Sequence, residues 1–389
     1  MSGRDLFCQP RRIRRGAALT LVFAGALVTG AATGSLPEPE PPARASVVRP
    51  SDTATRHEAV RRAAAEAMAD GKSATEAAER AVSRSGDRWG AVYSEDEYAE
   101  FQQALDGRYT GVGLWARLEP DGRIGVTRVL PGSPAADAGV RRGDRLRSVD
   151  GDRVDGRPVT EVLSLLRGDP EDAPAGTTVT LGLQRGTRVW TEKLRRARLS
   201  TDPVTDRKVT ADVTVIKIAA FTKGSAGAVR AALRAAPPGD GIVLDLRGNS
   251  GGLVTEAVDT ASSFLDGGLV ATYDVDGAQR SLHAAPGGDT ARPLVALVDG
   301  GTMSAAELLT GALQDRGRAV VVGSRTFGKG SIQMPTRLPD GSVAELTVGH
   351  YRTPSGHAVD GRGITPDLEA ASGALRRAET VLTGLGDAS

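Results

Sequence analysis

Ser304 and Lys329 are the two side chains whose setting in the sequence permits covalent chemistry. Val298-Asp299-Gly300-Gly301-Thr302-Met303-Ser304-Ala305-Ala306-Glu307 reads as a strand, a turn of small residues and the start of a helix. A serine at such a junction stands clear of the sheet, and the free N–H groups of a helix start can stabilise an oxyanion. Serine is also a common helix cap, so Ser304 alone suggests no more than an N-cap. A hydroxyl nucleophile needs a base. Arg325-Thr326-Phe327-Gly328-Lys329-Gly330-Ser331-Ile332-Gln333 offers one 25 residues on. A lysine between glycines behind a buried strand can approach a site closely, and burial lowers its pKa towards a value at which it accepts a proton. Alone, Lys329 reads as a solvated surface charge.

Other chemistries lack their residues. His57, His283, His350 and His357 form no H-E-x-x-H and no close pair, which argues against a zinc peptidase. Cys8 is the only cysteine and precedes the first hydrophobic run, so the body of the chain can hold neither a disulfide nor a thiolate zinc site. No metal and no cofactor is expected. Lys plus Arg number 49 against 48 Asp plus Glu, a balance that gives no electrostatic case for nucleic acid.

The elements that must position this chemistry begin near residue 210, where strands and helices alternate as in an α/β domain. Val213–Ile218, Gly241–Leu246, Leu294–Val298 and Ala319–Gly323 read as strands, and Glu256–Phe264 and Ala305–Gln314 as helices. Residues 108–198 differ: short β-branched runs such as Ile124–Leu130 and Thr177–Leu183 are separated by Gly, Pro and Asp turns. Residues 56–107 are Ala-rich with Glu and Arg and read as two or three helices, broken near Gly71 and at Ser85-Gly86. This segment is expected to pack or dimerise and to carry no chemistry, which leaves room for a homodimer.

The amino terminus reads as an export segment. Arg11, Arg12, Arg14 and Arg15 precede an uncharged stretch from Gly16 to Pro37, the pattern of a secretory signal or signal anchor. Its 22 residues just span a hydrocarbon layer of about 30 Å, and the reading leans to a retained anchor at the membrane. A proline-rich linker follows, residues 38–55. An exported, extracytoplasmic location is expected, anchored or secreted.

Two resemblances join these parts. Residues 131–151 (P-G-S-P-A-A-D-A-G-V-R-R-G-D-R-L-R-S-V-D-G), followed by Val159–Gly168, resemble the middle of a PDZ domain and the helix beside its peptide groove. In such domains a Gly-rich turn offers N–H groups to a peptide's terminal carboxylate while the peptide adds a strand to the sheet edge. That resemblance assigns the turn to Gly111, Val112, Gly113 and Leu114, with Val112 and Leu114 lining the slot for the last apolar side chain.

The order Gly-x-x-Ser-Ala-x-Glu, then Ala-Leu-Gln-Asp, then Phe-Gly-Lys-Gly-x-x-Gln resembles the carboxyl-terminal processing (tail-specific) protease family. The likeness extends through Leu244–Gly252, Tyr351–Gly356 and Gly361–Asp367. It implies a ClpP/crotonase-like α/β protease core at 199–389 beside the PDZ domain at 108–198. It also implies a serine endopeptidase that cleaves exported proteins near their C-terminal tails, with Ser304 as nucleophile and Lys329 as general base. Gln333 would orient the lysine, Gly251 and Ala305 would form the oxyanion hole, and Glu307 and Asp315 would be structural. The chain departs from the family's G-S-A-S-A-S-E and N-P-G-G, with G-T-M-S-A-A-E and Ser250 in place of the proline, which puts substrate fit in question. Gly248-Asn249-Ser250-Gly251-Gly252 meanwhile resembles the serine motif of PDZ-bearing trypsin-fold proteases. Those need an upstream His and Asp, and residues 151–249 contain no histidine. That reading, with Ser250 as nucleophile, and a non-catalytic PDZ scaffold are the alternatives.

Overall fold

The computed structural model of the chain describes residues 50–119, 121–157, 159–167, 173–275 and 278–386. The expected export segment at 1–37, and the linker as far as residue 49, lie outside the described residues. No helix among the described residues is long and apolar enough to cross a membrane. The described chain forms two compact units. One is Tyr109–Leu199; the other joins the segment ending at Arg108 to everything from Ser200 onward.

The larger unit opens with α1 (Pro50–Ala69), α2 (Ala74–Arg84), β1 (Ala91–Tyr93) and α3 (Glu95–Leu105). Helix α1 begins inside the stretch expected as linker, since proline suits the first turn of a helix, where its missing N–H would have no partner. Ser73 and Ser94 cap α2 and α3 through the N–H groups of Glu76 and Glu97, and the Glu97 carboxylate returns to the Ser94 N–H.

The smaller unit is the β-rich module. Its strands are β2 (Arg108–Gly111), β3 (Leu114–Leu118), β4 (Ile124–Val129), β5 (Arg145–Val149), β6 (Asp152–Arg153), β7 (Thr178–Arg185), β8 (Arg188–Arg195) and β9 (Ala197–Ser200), with α4 (Pro134–Asp137) and α5 (Val159–Arg167) inserted. The sheet runs β3-β4-β5-β7-β8, all antiparallel. Alternate residues of β7 (Val179, Leu181, Leu183) point into a core shared with Ile124, Leu146 and, from α5, Val162 and Leu166.

The chain then builds the site-bearing sheet from β10 (Val204–Thr210), β11 (Val213–Ile218), β12 (Gly241–Asp245), β15 (Leu294–Val298), β16 (Val320–Gly323) and β19 (Leu368–Glu369), in that order. From β11 to β19 every pairing is parallel. Both faces are covered, so the strands are apolar throughout. On one face Ile216, Leu244 and Val298 pack with α6 (Ser225–Ala235), α7 (Val254–Ala261) and α8 (Ala305–Asp315). On the other Val215, Val243 and Leu297 pack with Ala378 and Leu382 of α9 (Ala374–Gly386). Truncating a fully buried leucine such as Leu244 to alanine costs about 2–5 kcal/mol.

A second, antiparallel sheet holds β13 (Leu269–Val275), β14 (Ala278–His283), β17 (Ser331–Arg337) and the ten-residue β18 (Val343–Arg352), which also pairs with β1. Through β18, and through Val60, Ala64 and Val82 packed against Leu338 and Leu346, the N-terminal helices belong to the same unit as the α/β sheet.

Candidate active site

Parallel strands end together, and the loops beyond their carboxyl ends converge at one edge of the sheet. Three such loops carry the residues singled out above: Leu246–Leu253 after β12, Asp299–Ser304 after β15, and Ser324–Gly330 after β16.

The first two loops are stitched by short polar groups. The Asp299 carboxylate accepts the N–H of Gly248 (2.8 Å) and of Gly301 (2.9 Å). Asn249 accepts the Met303 N–H on its carbonyl (2.8 Å), and its side-chain amide reaches the Ile218 carbonyl (3.0 Å). Gly252 packs so closely on the strand-like Phe221 segment that a Cβ would lie 2.3 Å from the Phe221 oxygen. Gly251, at φ 98°, sits against the Ser304 turn: a Cβ there would lie 3.0 Å from the Ser304 Cβ and 3.2 Å from the Ala305 nitrogen. The fold thus gathers Gly251, Ser304 and Ala305.

Ser304 occupies φ 51°, ψ −118°, and with Asp150 is one of two non-glycine residues at positive φ among those described. Such a conformation in a β-carbon residue costs about 1–3 kcal/mol and persists only where the surroundings dictate it. Ser304 stands at the N-cap position of α8, yet its hydroxyl makes no capping bond. The Glu307 N–H goes to the Ser304 backbone carbonyl instead (2.8 Å). The hydroxyl is left for other work.

Glu307 is the element that dictates. Its carboxylate is fully buried and takes four donors: the N–H of Ser304 (3.0 Å) and of Lys329 (2.8 Å) on one oxygen, and the N–H of Gly328 (2.7 Å) with the Thr326 hydroxyl (2.5 Å) on the other. One side chain fixes the backbone of both Ser304 and Lys329. Burial pushes its carboxyl above the usual range, against the pull of these four bonds. Tyr351 of β18 repeats the bridge from the other side: its buried hydroxyl donates to the carbonyls of Ser304 (2.9 Å) and Lys329 (3.3 Å), and burial holds its pKa well above normal.

Lys329 is half-buried, and burial lowers its pKa from the ordinary lysine value, offset in part by Glu345 and Asp87. Glu345 is raised by burial and lowered in turn by Lys329. The ammonium lies 5.3 Å from the centroid of the Trp89 ring. It makes no hydrogen bond to the Ser304 hydroxyl in this structure. Gln333 does not bond the lysine either: its amide N–H₂ donates to the Trp89 carbonyl. The Gly251 N–H, expected at the oxyanion hole, donates to the Asn249 side-chain oxygen (2.8 Å). Ala305 is the first residue of α8, so its N–H has no acceptor within the helix. In this conformation the Ala305 N–H has no helical acceptor and the Gly251 N–H is engaged.

Asp315 binds the Ser355 N–H (2.8 Å) and hydroxyl at the far end of α8. Those bonds hold its carboxyl below the usual range although burial opposes them. Ser250 is half-buried in the loop after β12 and makes no hydrogen bond to a histidine. The β-barrel that the trypsin-type reading requires is absent among the described residues, and parallel sheet stands in its place, so that alternative is set aside.

In the smaller unit, Gly111 ends β2 and Leu114 opens β3. The carbonyls of Val112 and Gly113 are taken by the N–H of Ala135 (2.9 Å) and Leu130 (2.8 Å). Val112 and Leu114 lie in the core with Val162 and Leu166 of α5, the helix expected beside the groove. The buried Arg196 anchors that helix, donating to the carbonyls of Leu166 (3.1 Å) and Leu165 (3.3 Å) and, across to β7, Thr178 (3.0 Å).

Residues 212–370 match the model of peptidase family S41, and residues 125–185 that of the PDZ domain. The chloroplastic carboxyl-terminal-processing peptidase 3 of Arabidopsis thaliana is 35% identical over 314 residues, covering 76% of this chain and 60% of its own. The carboxyl-terminal-processing protease of Synechocystis is 36% identical over 282 residues, covering 70% and 65%. The solved structure of a photosystem II D1 C-terminal processing protease is 30% identical, covers 80% of this chain and 86% of its own, and superposes with a TM-score of 0.51. The chain spans 60–65% of the length of these two curated relatives.

Proposed function

The chain belongs to peptidase family S41, the carboxyl-terminal processing proteases, and from that membership we propose that it is a serine endopeptidase acting through Ser304 and Lys329. The observation that carries the reading is the single Glu307 carboxylate holding the N–H groups of both residues. Two chain segments 25 residues apart are thereby locked at one strained turn.

The unengaged hydroxyl of Ser304 attacks a peptide carbonyl, and Lys329 in its neutral form, which burial favours, accepts its proton. The developing oxyanion takes the Ala305 N–H and, once the Asn249 side chain lets go, that of Gly251. The lysine then protonates the leaving amine, and water, deprotonated by the same lysine, releases the acyl group. Gln333 orients the amine after leaving the Trp89 carbonyl. Substrates are exported proteins with unstructured C-terminal tails. The tail carboxylate binds the Gly111–Leu114 turn and adds a strand beside α5, which raises its effective concentration at the cutting site. Export through the N-terminal segment, and a location outside the cytoplasm, complete the proposal.

The test is cleavage of an unfolded polypeptide by full-length protein. Ser304→Ala and Lys329→Ala should each lower turnover by about 10³-fold or more, while Ser250→Ala stays within a few-fold of wild type. Full activity in Lys329→Ala would remove the base, and no cleavage by wild type would favour a PDZ scaffold.

A further inference from the structure

Trp89 lies in the N-terminal segment, between α2 and β1, where no residue pattern points to chemistry. It nevertheless touches both members of the base. The Lys329 ammonium sits 5.3 Å from its ring centroid, and its backbone carbonyl accepts the Gln333 amide. The ring is itself held: Phe327 packs against it with centroids 5.7 Å apart, and its indole N–H reaches the Asp360 carboxylate at 3.4 Å. Hydrogen bonding to an anion enriches the ring in electron density and strengthens its attraction for a cation. We propose that Trp89 is a positioning residue that holds Lys329 and Gln333 in a resting arrangement, from which both must part before Ser304 can be deprotonated.

The proposal rests on Lys329 being the general base, and it adds what keeps that base idle. An aromatic face binds the ammonium and not the neutral amine. It therefore favours the charged, inactive form and opposes the desolvation that favours the active one. Other charges face the amine too: Glu345 from β18 and Asp87 from the loop before Trp89 attract it, while Arg88 lies over the same ring at 4.7 Å and competes for the face. Asp87 is fixed by the Thr347 N–H and hydroxyl, and Asp360 by the Gly330 N–H. Replacing the ring alone leaves these groups in place, and any residue at 89 keeps the carbonyl that binds Gln333.

The experiment is a titration of the Lys329 amine by competitive acylation and mass spectrometry, on full-length protein carrying Ser304→Ala. Trp89→Leu should lower the midpoint by about 0.5–1 pH unit, and Trp89→Phe should restore most of the shift. Replacing tryptophan with fluorinated tryptophans keeps the shape while weakening the ring face, so the midpoint should fall stepwise with fluorine count even if the leucine variant folds poorly. The readout is specific to one lysine although Trp115 and Trp190 are labelled as well. With Ser304 intact, kcat/KM below the midpoint should rise about 3–10-fold in Trp89→Leu and match wild type at alkaline pH. Midpoints unchanged by leucine and by fluorination would overturn the proposal. An active Lys329→Ala would instead overturn the base assignment, and the acylation titration would still report whether the ring holds the amine.

Discussion

Each unit of the molecule buries one ion at a helix end. In the larger unit Glu307 sits in the first turn of α8 and gathers N–H donors; in the smaller, Arg196 lies behind the last turn of α5 and gathers carbonyls. Each meets unpaired backbone groups of a helix terminus, the Ser304 N–H before α8 and the Leu165 and Leu166 carbonyls of α5, and adds partners from a second segment. The difference is in what the partners do. Every donor to Glu307 belongs to Ser304 or to the loop that carries Lys329, so the ion ties folding to the site through which the chain is proposed to act. The acceptors of Arg196 are carbonyls of α5 and β7 and the Thr177 hydroxyl, so that ion ties folding to the position of α5.

The contrast is sharpest at Glu307. Glu307→Gln keeps the volume but turns an acceptor into a donor facing N–H groups, so it should destabilise the larger unit by about 3–5 kcal/mol. Turnover of the protein that still folds should drop about 100-fold through misplacement of Ser304 and Lys329. Urea unfolding and kcat measured on the same sample would break the comparison if stability fell and turnover did not. Arg196→Met should act more weakly and elsewhere: about tenfold lower affinity for a tail peptide by calorimetry, with unchanged kcat on a substrate lacking a free tail. A change in that kcat would erase the distinction between the two ions.

The smallest effect concerns pH. Burial depresses the folded-state pKa of Lys329 below its unfolded value. Between those two values the folded protein binds fewer protons than the unfolded chain, so stability rises with pH and reaches its full contribution above the unfolded value. Lys329→Met should flatten that slope in urea unfolding followed across the alkaline range. An identical slope in both proteins would show that the amine is solvated in the folded state.

Much of this site was legible in the sequence because its parts are local. Strand, small-residue turn and helix predict the Ser304 junction, and β11, β12, β15 and β16 fall within a residue or so of where their apolar runs place them. The β13–β14 hairpin and β17–β18 were not read: β14 and β17 are largely exposed or half-buried, and the mostly buried β18 mixes polar with apolar residues, so none shows a clear period. Trp89 and Tyr351 were missed for a different reason. Trp89 reaches Gln333 from 244 residues away, and an Ala-rich helical stretch carries no mark of what its following loop will touch. Tyr351 lay within a recognised stretch, but a hydroxyl bonding two carbonyls leaves no spacing to read. Asn249 and Asp299 had the clearest unused signal: each follows a buried strand within a glycine-rich turn, where a short polar side chain commonly satisfies backbone N–H groups.

The positive φ of Ser304 bears on how this gene would age if its product were no longer needed as a cutter. Glycine adopts that geometry without strain, so a duplicate copy kept only for its peptide-binding module would become sturdier by exchanging this serine for glycine.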